Sequence, residues 1–521
     1  MKKLLLFTTF LITTVFLNGQ TRDLANIASG TLVSSNILYD SKEDVYGYFY
    51  LYDQDKIDKE TSQMEYVFLD KNLNKVSNGT FTVKEYERVR NFSYRCSVMD
   101  EDHILLRRTR YQVGLPYNFY TFQIISLKNK TVSPEYHYAN GVINEVPQTS
   151  KEYKAYMRNI KRVKPSYEGY PFAYGRDKGF FIIETDNNSK TSNNRYLKFF
   201  NYNKELQWSY EYNPNAKRNK YKSIAINDIT KNNIYITEYF VNKKNVSEVK
   251  YVALNPKTGE KKYEYVFENT KSLYSHILNT KEVNNQFVIT GNYSAYNKKE
   301  GFSLDKNLGF FKIVLDEKGN EISKKYTLWE DYKTQIDVDK KGKAEKNYRL
   351  RPVQYFMLKD GTICMLTEKY KPYKKGIGDL VPIPIVNVLV EAATTQREKT
   401  TDFVLFFMDK DFNLKKVKTI EKELTKDYNY DYQFSQYIKD DAGVVFFFKD
   451  YSDKDKKWTL GISTILNGDM KEERIPISSK FKDEKEEYVI LPMRAKEGYI
   501  LLREYNKKEK YDQIRLEKVN Y

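Results

Sequence analysis

Short, dense apolar runs recur along this chain, and most stop at an acid or a glycine with a tyrosine close behind. The strongest are Ile234-Tyr235-Ile236-Thr237-Glu238-Tyr239, Phe287-Val288-Ile289-Thr290-Gly291-Asn292-Tyr293 and Ile363-Cys364-Met365-Leu366-Thr367-Glu368-Lys369-Tyr370. Val444-Val445-Phe446-Phe447-Phe448-Lys449-Asp450-Tyr451 and Tyr499-Ile500-Leu501-Leu502-Arg503-Glu504-Tyr505 repeat the theme, with weaker relatives at Tyr46–Tyr52, His103–Arg107 and Phe180–Glu184. A run that is apolar throughout, instead of alternating, suits a strand buried on both faces.

A second kind of strand follows after a polar loop and ends in a turn. Examples are Val67-Phe68-Leu69-Asp70-Lys71-Asn72-Leu73-Asn74 and Tyr251–Gly259, with close copies at Phe311–Asn320 and Phe406–Asn413. Asp, Asn and Gly at these points tolerate left-handed backbone and cap hairpin turns with their own side chains. Such pairs occur about eight times, spaced by roughly 50 to 80 residues, longer than the ~40–50 residues of common propeller blades. The pattern predicts an all-β fold, a β-propeller of about seven or eight blades with long inter-strand loops. A single core stops growing near ~250–300 residues, and radial repetition of small sheets continues it without exposed edges. The competing architecture is a set of tandem β-sandwich domains, against which stands the lack of a Pro/Gly/Ser-rich linker.

Two stretches interrupt the rhythm, near residues 140–170 and 371–401. In the first, Lys151–Lys164 (KEYKAYMRNIKRVK) has the spacing of a short basic amphipathic helix; the second contains the apolar run Leu380–Val390, broken by Pro382 and Pro384. Residues 20–521 otherwise form one repeat domain in this reading.

The copy Thr367-Glu368-Lys369-Tyr370, followed by Thr401-Asp402-Phe403-Val404-Leu405-Phe406, resembles uncharacterised exported propeller-like proteins of Bacteroidetes. The resemblance extends in rhythm over most of the chain and implies a fold and a compartment, with no activity to carry over.

The compartment also follows from the first residues. Met1-Lys2-Lys3 precedes an uncharged, largely apolar run, Leu4–Leu17, and then the polar break Asn18-Gly19-Gln20. That is the layout of a signal peptide over residues 1–19, and the run is too short to span a bilayer. No cysteine follows it to take a lipid, and no other span is predicted, so the expectation is a soluble exported protein, periplasmic or extracellular. The only cysteines, Cys96 and Cys364, are expected as buried, unpaired thiols.

The formal charge of +17 favours anionic partners. The lysines, however, are spread along the chain among acids, in short clusters such as Lys340–Lys343 and Lys507–Lys510, so the pattern does not point to nucleic acid.

Candidate chemistry is sparse. His103, His137 and His276 lack metal-ligand spacing, and no nucleophile elbow, phosphate loop or dinucleotide motif occurs. His137 falls in an aromatic loop and the other two at a strand start and a turn. Asp409–Asn413 and Asp337–Asp339 resemble the opening of a calcium loop but lack its later ligands, and are expected as hairpin turns. No cofactor or metal is predicted. Glu184, Glu238, Glu368 and Glu504 end inner strands at equivalent repeat positions, and two such acids ~5–10 Å apart would suffice for a glycosidase. The alternative role for each is to end its strand and pair with a nearby cation. The leading functional expectation is a non-enzymatic binding module for a glycan, peptide or cell-envelope partner. Its rivals are a polysaccharide hydrolase using these glutamates and a structural envelope component.

Overall fold

The structure, a computed structural model, describes residues 21–519 apart from 25, 87–88, 113–117, 164–167, 176–177, 186–194, 215–219, 243–244, 268–272, 284, 296–306, 374–396, 427–432, 453–456, 478–487 and 507–510. The predicted signal segment, most of the 371–401 insertion, the 507–510 lysine cluster and the His276 side chain lie outside the described residues.

Antiparallel strands dominate, and they form the eight blades of a β-propeller. Blade 1 is built from Thr31–Tyr39, Val45–Asp58, Thr61–Asp70 and Lys75–Lys84, and blade 2 from Val89–Val98, His103–Gln112, Asn118–Ser126 and the short Thr131–Val132. Glu168–Phe172, Gly179–Thr185, Tyr196–Asn201 and Leu206–Glu211 make blade 3, tied to blade 2 by the bridging strand Tyr136–Ala139. Blade 4 runs from Lys220 to Val266, blade 5 from Leu273 to Tyr326, blade 6 is centred on Tyr348–Ile420 and blade 7 spans Phe434–Pro476. Blade 8 takes Tyr488–Arg494, Tyr499–Asn506 and Tyr511–Lys518 from the end of the chain and its fourth strand, Thr21–Asp23, from the beginning, with Arg22 opposite Ile514.

The chain divides into two compact units. The first holds blades 1–3, most of blade 8 and the first two strands of blade 4; the second holds blades 5–7 and most of the rest of blade 4.

Within the first unit, the continuous apolar runs are explained by burial on both faces. Tyr48, Tyr50 and Tyr52 of blade 1 pack with Leu501, Ile514 and Leu516 of blade 8. The alternate residues Phe49 and Leu51 pack with Ile104, Leu106 and Ile125 of blade 2. Leu105, between them in sequence, turns to Phe180, Ile182 and Phe200 of blade 3. The second unit repeats this arrangement. Val404 and Phe406 pack with Phe310 of blade 5, while Phe403, Leu405 and Phe407 join Val444, Phe446 and Phe448 of blade 7. A strand has a side-chain period of two, so filling both faces leaves no polar position until the strand leaves the interblade layer.

The turns follow the sequence. Asp70 Oδ1 accepts the Asn72 and Asn74 amides at 2.8 Å, and Leu73 between them has φ +65°. Asp409 repeats this with Asp411 and Asn413, and Asp339 with Lys341 and Lys343. In each, backbone amides occupy the carboxylate oxygen that a cation would need. At two other turns an aromatic side chain packs against the glycine: Trp208 of blade 3 against Gly259, and Tyr263 against Gly319.

Neither cysteine is in a disulfide; Cys364 is buried and Cys96 only half-buried. Burial pushes the Cys364 thiol up to about 12. Among the described residues, no helix is long and apolar enough to cross a membrane.

Candidate functional site

The four strand-end glutamates are buried, and each has its own partners. Glu184 Oε1 lies 3.1 Å from Lys198 Nζ and also accepts the Tyr138 hydroxyl, while Oε2 accepts the Tyr196 amide at 3.1 Å. Glu238 accepts the Tyr210 hydroxyl at 2.6 Å and pairs with Lys222 at 3.1 Å. Glu504 pairs with Arg515 and accepts from the Gln513 amide at 2.8 Å. In the second unit, Glu368 is held by Lys422 at 2.6 Å and by Arg351 at 3.3 Å. Asp450 of blade 7 follows the same plan with Arg474 at 2.8 Å.

Blade 2 inverts this plan. Counting five residues from the first residue of the inner strand reaches Glu184, Glu368 and Glu504 in blades 3, 6 and 8, but Arg108 in blade 2. Arg108 and Arg110 continue the face of Ile104 and Leu106, which packs on blade 1, beyond the point where the apolar pattern ends. Both guanidiniums are buried, at 1% exposure each. Their acid is Glu135, just ahead of the bridging strand: Arg110 Nη2 lies 2.8 Å from its Oε1 and 2.9 Å from its Oε2, and Arg108 Nη1 lies 3.5 Å from Oε1. The Thr121 hydroxyl donates to the same carboxylate, and Arg108 donates to Gln123 Oε1.

The charges do not cancel. Burial acts to raise the Glu135 carboxyl, but Arg110 and Arg108 outweigh it and hold it below its ordinary value. Burial drives the His137 imidazole down to about 4, so it adds no charge near neutral pH. Guanidinium stays protonated in proteins. Two buried cations therefore face one buried anion, and Arg108 Nε and Nη1 and Arg110 Nε make no hydrogen bond.

Helix α1 (Ser150–Val163), where the amphipathic pattern places it, covers one side of this cluster. Tyr153 stacks on Tyr86, the Tyr156 hydroxyl hydrogen-bonds His137 Nδ1, and Tyr153 and Met157 pack with Phe119 and Val146. His137 lies on a strand and not in a loop, because Tyr136 and His137 pair with Phe122 and Thr121 of blade 2 while Tyr136–Ala139 also pairs with Val142–Glu145.

On the other side, Arg110 reaches the wall of a cavity of about 520 Å³ between blades 1 and 2. Blade 1 contributes Val33, Asp53, Lys59, Ser62, Met64, Val83 and Lys84, blade 2 contributes Val89, Asn91, Ser93 and Tyr94, and Glu85 and Tyr86 lie at the junction. Its acids answer to groups other than the arginines: burial and Glu85 raise the Asp53 carboxyl, and Glu85 pairs with Lys56 at 3.0 Å. Asp53 Oδ1 is buried without a hydrogen bond.

His103 lies elsewhere on blade 2, with Nδ1 2.9 Å from Asp100 Oδ1 and its ring stacked on Tyr202 beside a cavity of about 280 Å³. Among the described residues, no group of three or more His, Cys, Asp or Glu is placed to hold a metal ion.

The Arg108–Arg110–Glu135 cluster is absent from the residues that sequence reasoning selects. The available signal was the arginine at the position where other inner strands carry glutamate.

The chain belongs to a family of unknown function (DUF6770), whose model matches residues 1–429. No curated protein matches it. Among solved structures, it is similar to the quinohemoprotein alcohol dehydrogenase of Comamonas testosteroni, with 10% identity and a TM-score of 0.39, covering 95% of this chain and 77% of that one. It is also similar to the β-propeller domain of the Trilobed protease from Pyrococcus furiosus, with 9% identity and a TM-score of 0.32, covering 84% of this chain and 99% of that one.

Proposed function

We propose that this member of a family of unknown function is an exported, non-enzymatic binding module that takes a glycan, peptide or cell-envelope partner. Export rests on the signal-peptide layout of residues 1–19, which supports a periplasmic or extracellular module. The observation that carries the binding reading is the cavity of about 520 Å³ with the buried Arg110 on its wall. It is a concave site with convergent polar groups on a rigid scaffold, the usual form of a ligand pocket. The individual pairing of Glu184, Glu238, Glu368 and Glu504 supports binding over hydrolysis, because a carboxylate neutralised by its own lysine or arginine is poorly placed to exchange protons with a substrate.

The test is a comparison of the purified chain with its Asn91→Trp variant on envelope fractions of the producing cell. Asn91 is exposed at the cavity, so the indole fills the cavity with little cost to folding. Retention of an envelope component by the parent chain and its loss in the variant is the expected result. Equal retention by both overturns the reading.

A further inference from the structure

Resting on that binding reading, we propose that the cavity between blades 1 and 2 recognises an acidic sugar, a uronic acid unit of a polysaccharide, with its carboxylate directed to Arg110. Three features of the wall converge on this chemistry.

The first is the charge imbalance. Arg108 and Arg110 are each 99% buried by their 1% exposure and share one carboxylate, Glu135. A buried cation without a full counter-charge is costly, and Arg110 lies on the cavity wall with its Nε unpartnered. Guanidinium donors pair with planar carboxylates in charge-assisted hydrogen bonds. One added monoanion balances the cluster.

The second is a hydrogen-bond acceptor that calls for a donor. Asp53 Oδ1 is buried, unpartnered and on the same wall. It repels a second anionic group and accepts from a hydroxyl. A ligand that suits both ends therefore carries one carboxylate and several hydroxyls.

The third is an aromatic side chain on the same wall. The Tyr94 ring lines the cavity, and the Arg108 guanidinium lies 5.8 Å from its centroid. An aromatic face packs against the apolar face of a sugar ring while its polar edge stays wet. Asn91 beside it supplies an amide for further hydroxyls.

The test is calorimetric titration of the purified chain with di- and trigalacturonate, with the neutral galactose oligomers of the same length, and with a short Asp/Glu peptide. The expected result is binding of the uronates at least tenfold tighter than of the neutral sugars and of the peptide. Arg110→Lys, which keeps a charge beside Glu135, should lose at least tenfold in uronate affinity. Asn91→Trp should abolish binding, and it serves as the control that does not disturb the buried cluster if the arginine variant fails to fold. Equal affinity for acidic and neutral sugars, stronger binding of the peptide, or no uronate binding at millimolar concentration each overturns the inference. If the envelope component is still lost in Asn91→Trp while uronates fail to bind, the binding-module reading stands and only the ligand class falls.

Discussion

Lys198 Nζ lies 3.1 Å from Oε1 of Glu184, a carboxylate with no exposed surface, and the pair closes the inner strand of blade 3. The Tyr138 hydroxyl and the Tyr196 amide complete the shell around the acid. Removing one member of a buried pair leaves the other uncompensated, at a cost of roughly 3–5 kcal/mol. Lys198 keeps some contact with solvent, 14% for its side chain, which sets the cost at the lower end. Glu184→Leu should therefore lose about 3 kcal/mol of stability. The double variant Glu184→Leu/Lys198→Met should recover most of it, since an apolar pair of similar volume replaces an ion pair at little net cost. Chemical denaturation of the four species gives the coupling. Equal destabilisation of the single and double variants would show that the acid contributes through packing alone.

A second prediction concerns the contact between Trp208 and Gly259. Gly259 has φ +71°, and a Cβ there would sit 2.5 Å from Trp208 Cε3. The indole is also held by its Nε1 donating to the Pro256 carbonyl at 2.9 Å. Gly259→Ala should cost at least ~1–2 kcal/mol from the left-handed backbone, with displacement of the ring adding to it. The expected readout is a melting temperature lower by a few degrees, together with a red shift of tryptophan emission. An unchanged emission maximum would show that the ring does not cover the turn.

The Asp409 turn gives a pH dependence. The Asn413 amide, followed by the Lys415 and Asn413 side chains, brings the Asp409 carboxyl down to about 2. Its unfolded value is near ~3.9. A depressed folded-state value contributes stability above the unfolded value, and that contribution is lost as pH falls from about 4 through about 2. The side chain is half-buried at a hairpin turn, so the effect is a local one on that hairpin. A carboxyl-carbon NMR titration should show Asp409 ionised at pH 3, and Asp409→Ala should remove the accompanying pH-dependent shifts of the Asp411 and Asn413 amides while leaving the global acid-unfolding midpoint in place.

The scaffold was more legible than the site, for a physical reason. Runs such as Phe403–Met408 are buried on both faces by neighbouring blades, so the whole strand is written in apolar residues and stands out at once. The turns at Asp70, Asp316 and Asp409 were equally plain because the side chain that caps them is in the turn itself. Amphipathic spacing located α1 to within a residue at each end. The cations that hold the strand-end acids come from varied places: Lys198 from the third strand of its blade, Lys222 from the first, and Lys422 from beyond the fourth. No fixed spacing announces them. Glu135 likewise reaches Arg110 across 25 residues. What α1 covers was equally hidden, because Tyr153 and Tyr156 meet Tyr86 and His137, which come from elements packed against it only in the folded chain.

That covering helix leads to a prediction at His137. The ring is fully buried, shares a hydrogen bond with the Tyr156 hydroxyl of α1, and packs edge-on against Phe119. Burial lowers it to about 4 against the partial opposition of Glu135, while Arg110 lowers it further. In the unfolded chain the imidazole titrates near ~6.5. Between these values the unfolded state binds a proton that the folded state refuses. The stability contributed by neutral His137 is thus fully present above about pH 6.5 and lost progressively as pH falls toward 4. The accumulated loss is on the order of 2–3 kcal/mol. It should act first on α1, which is docked through Tyr153, Tyr156 and Met157. Hydrogen exchange at pH 7 and pH 5 should therefore show protection of Ser150–Val163 falling at the lower pH while the strands of blade 1 stay protected. His137→Phe removes the titrating group and keeps the aromatic contact with Phe119, so its helix should exchange at the same protection level at both values. A pH-dependent loosening of α1 that persists in His137→Phe would assign the effect to another group.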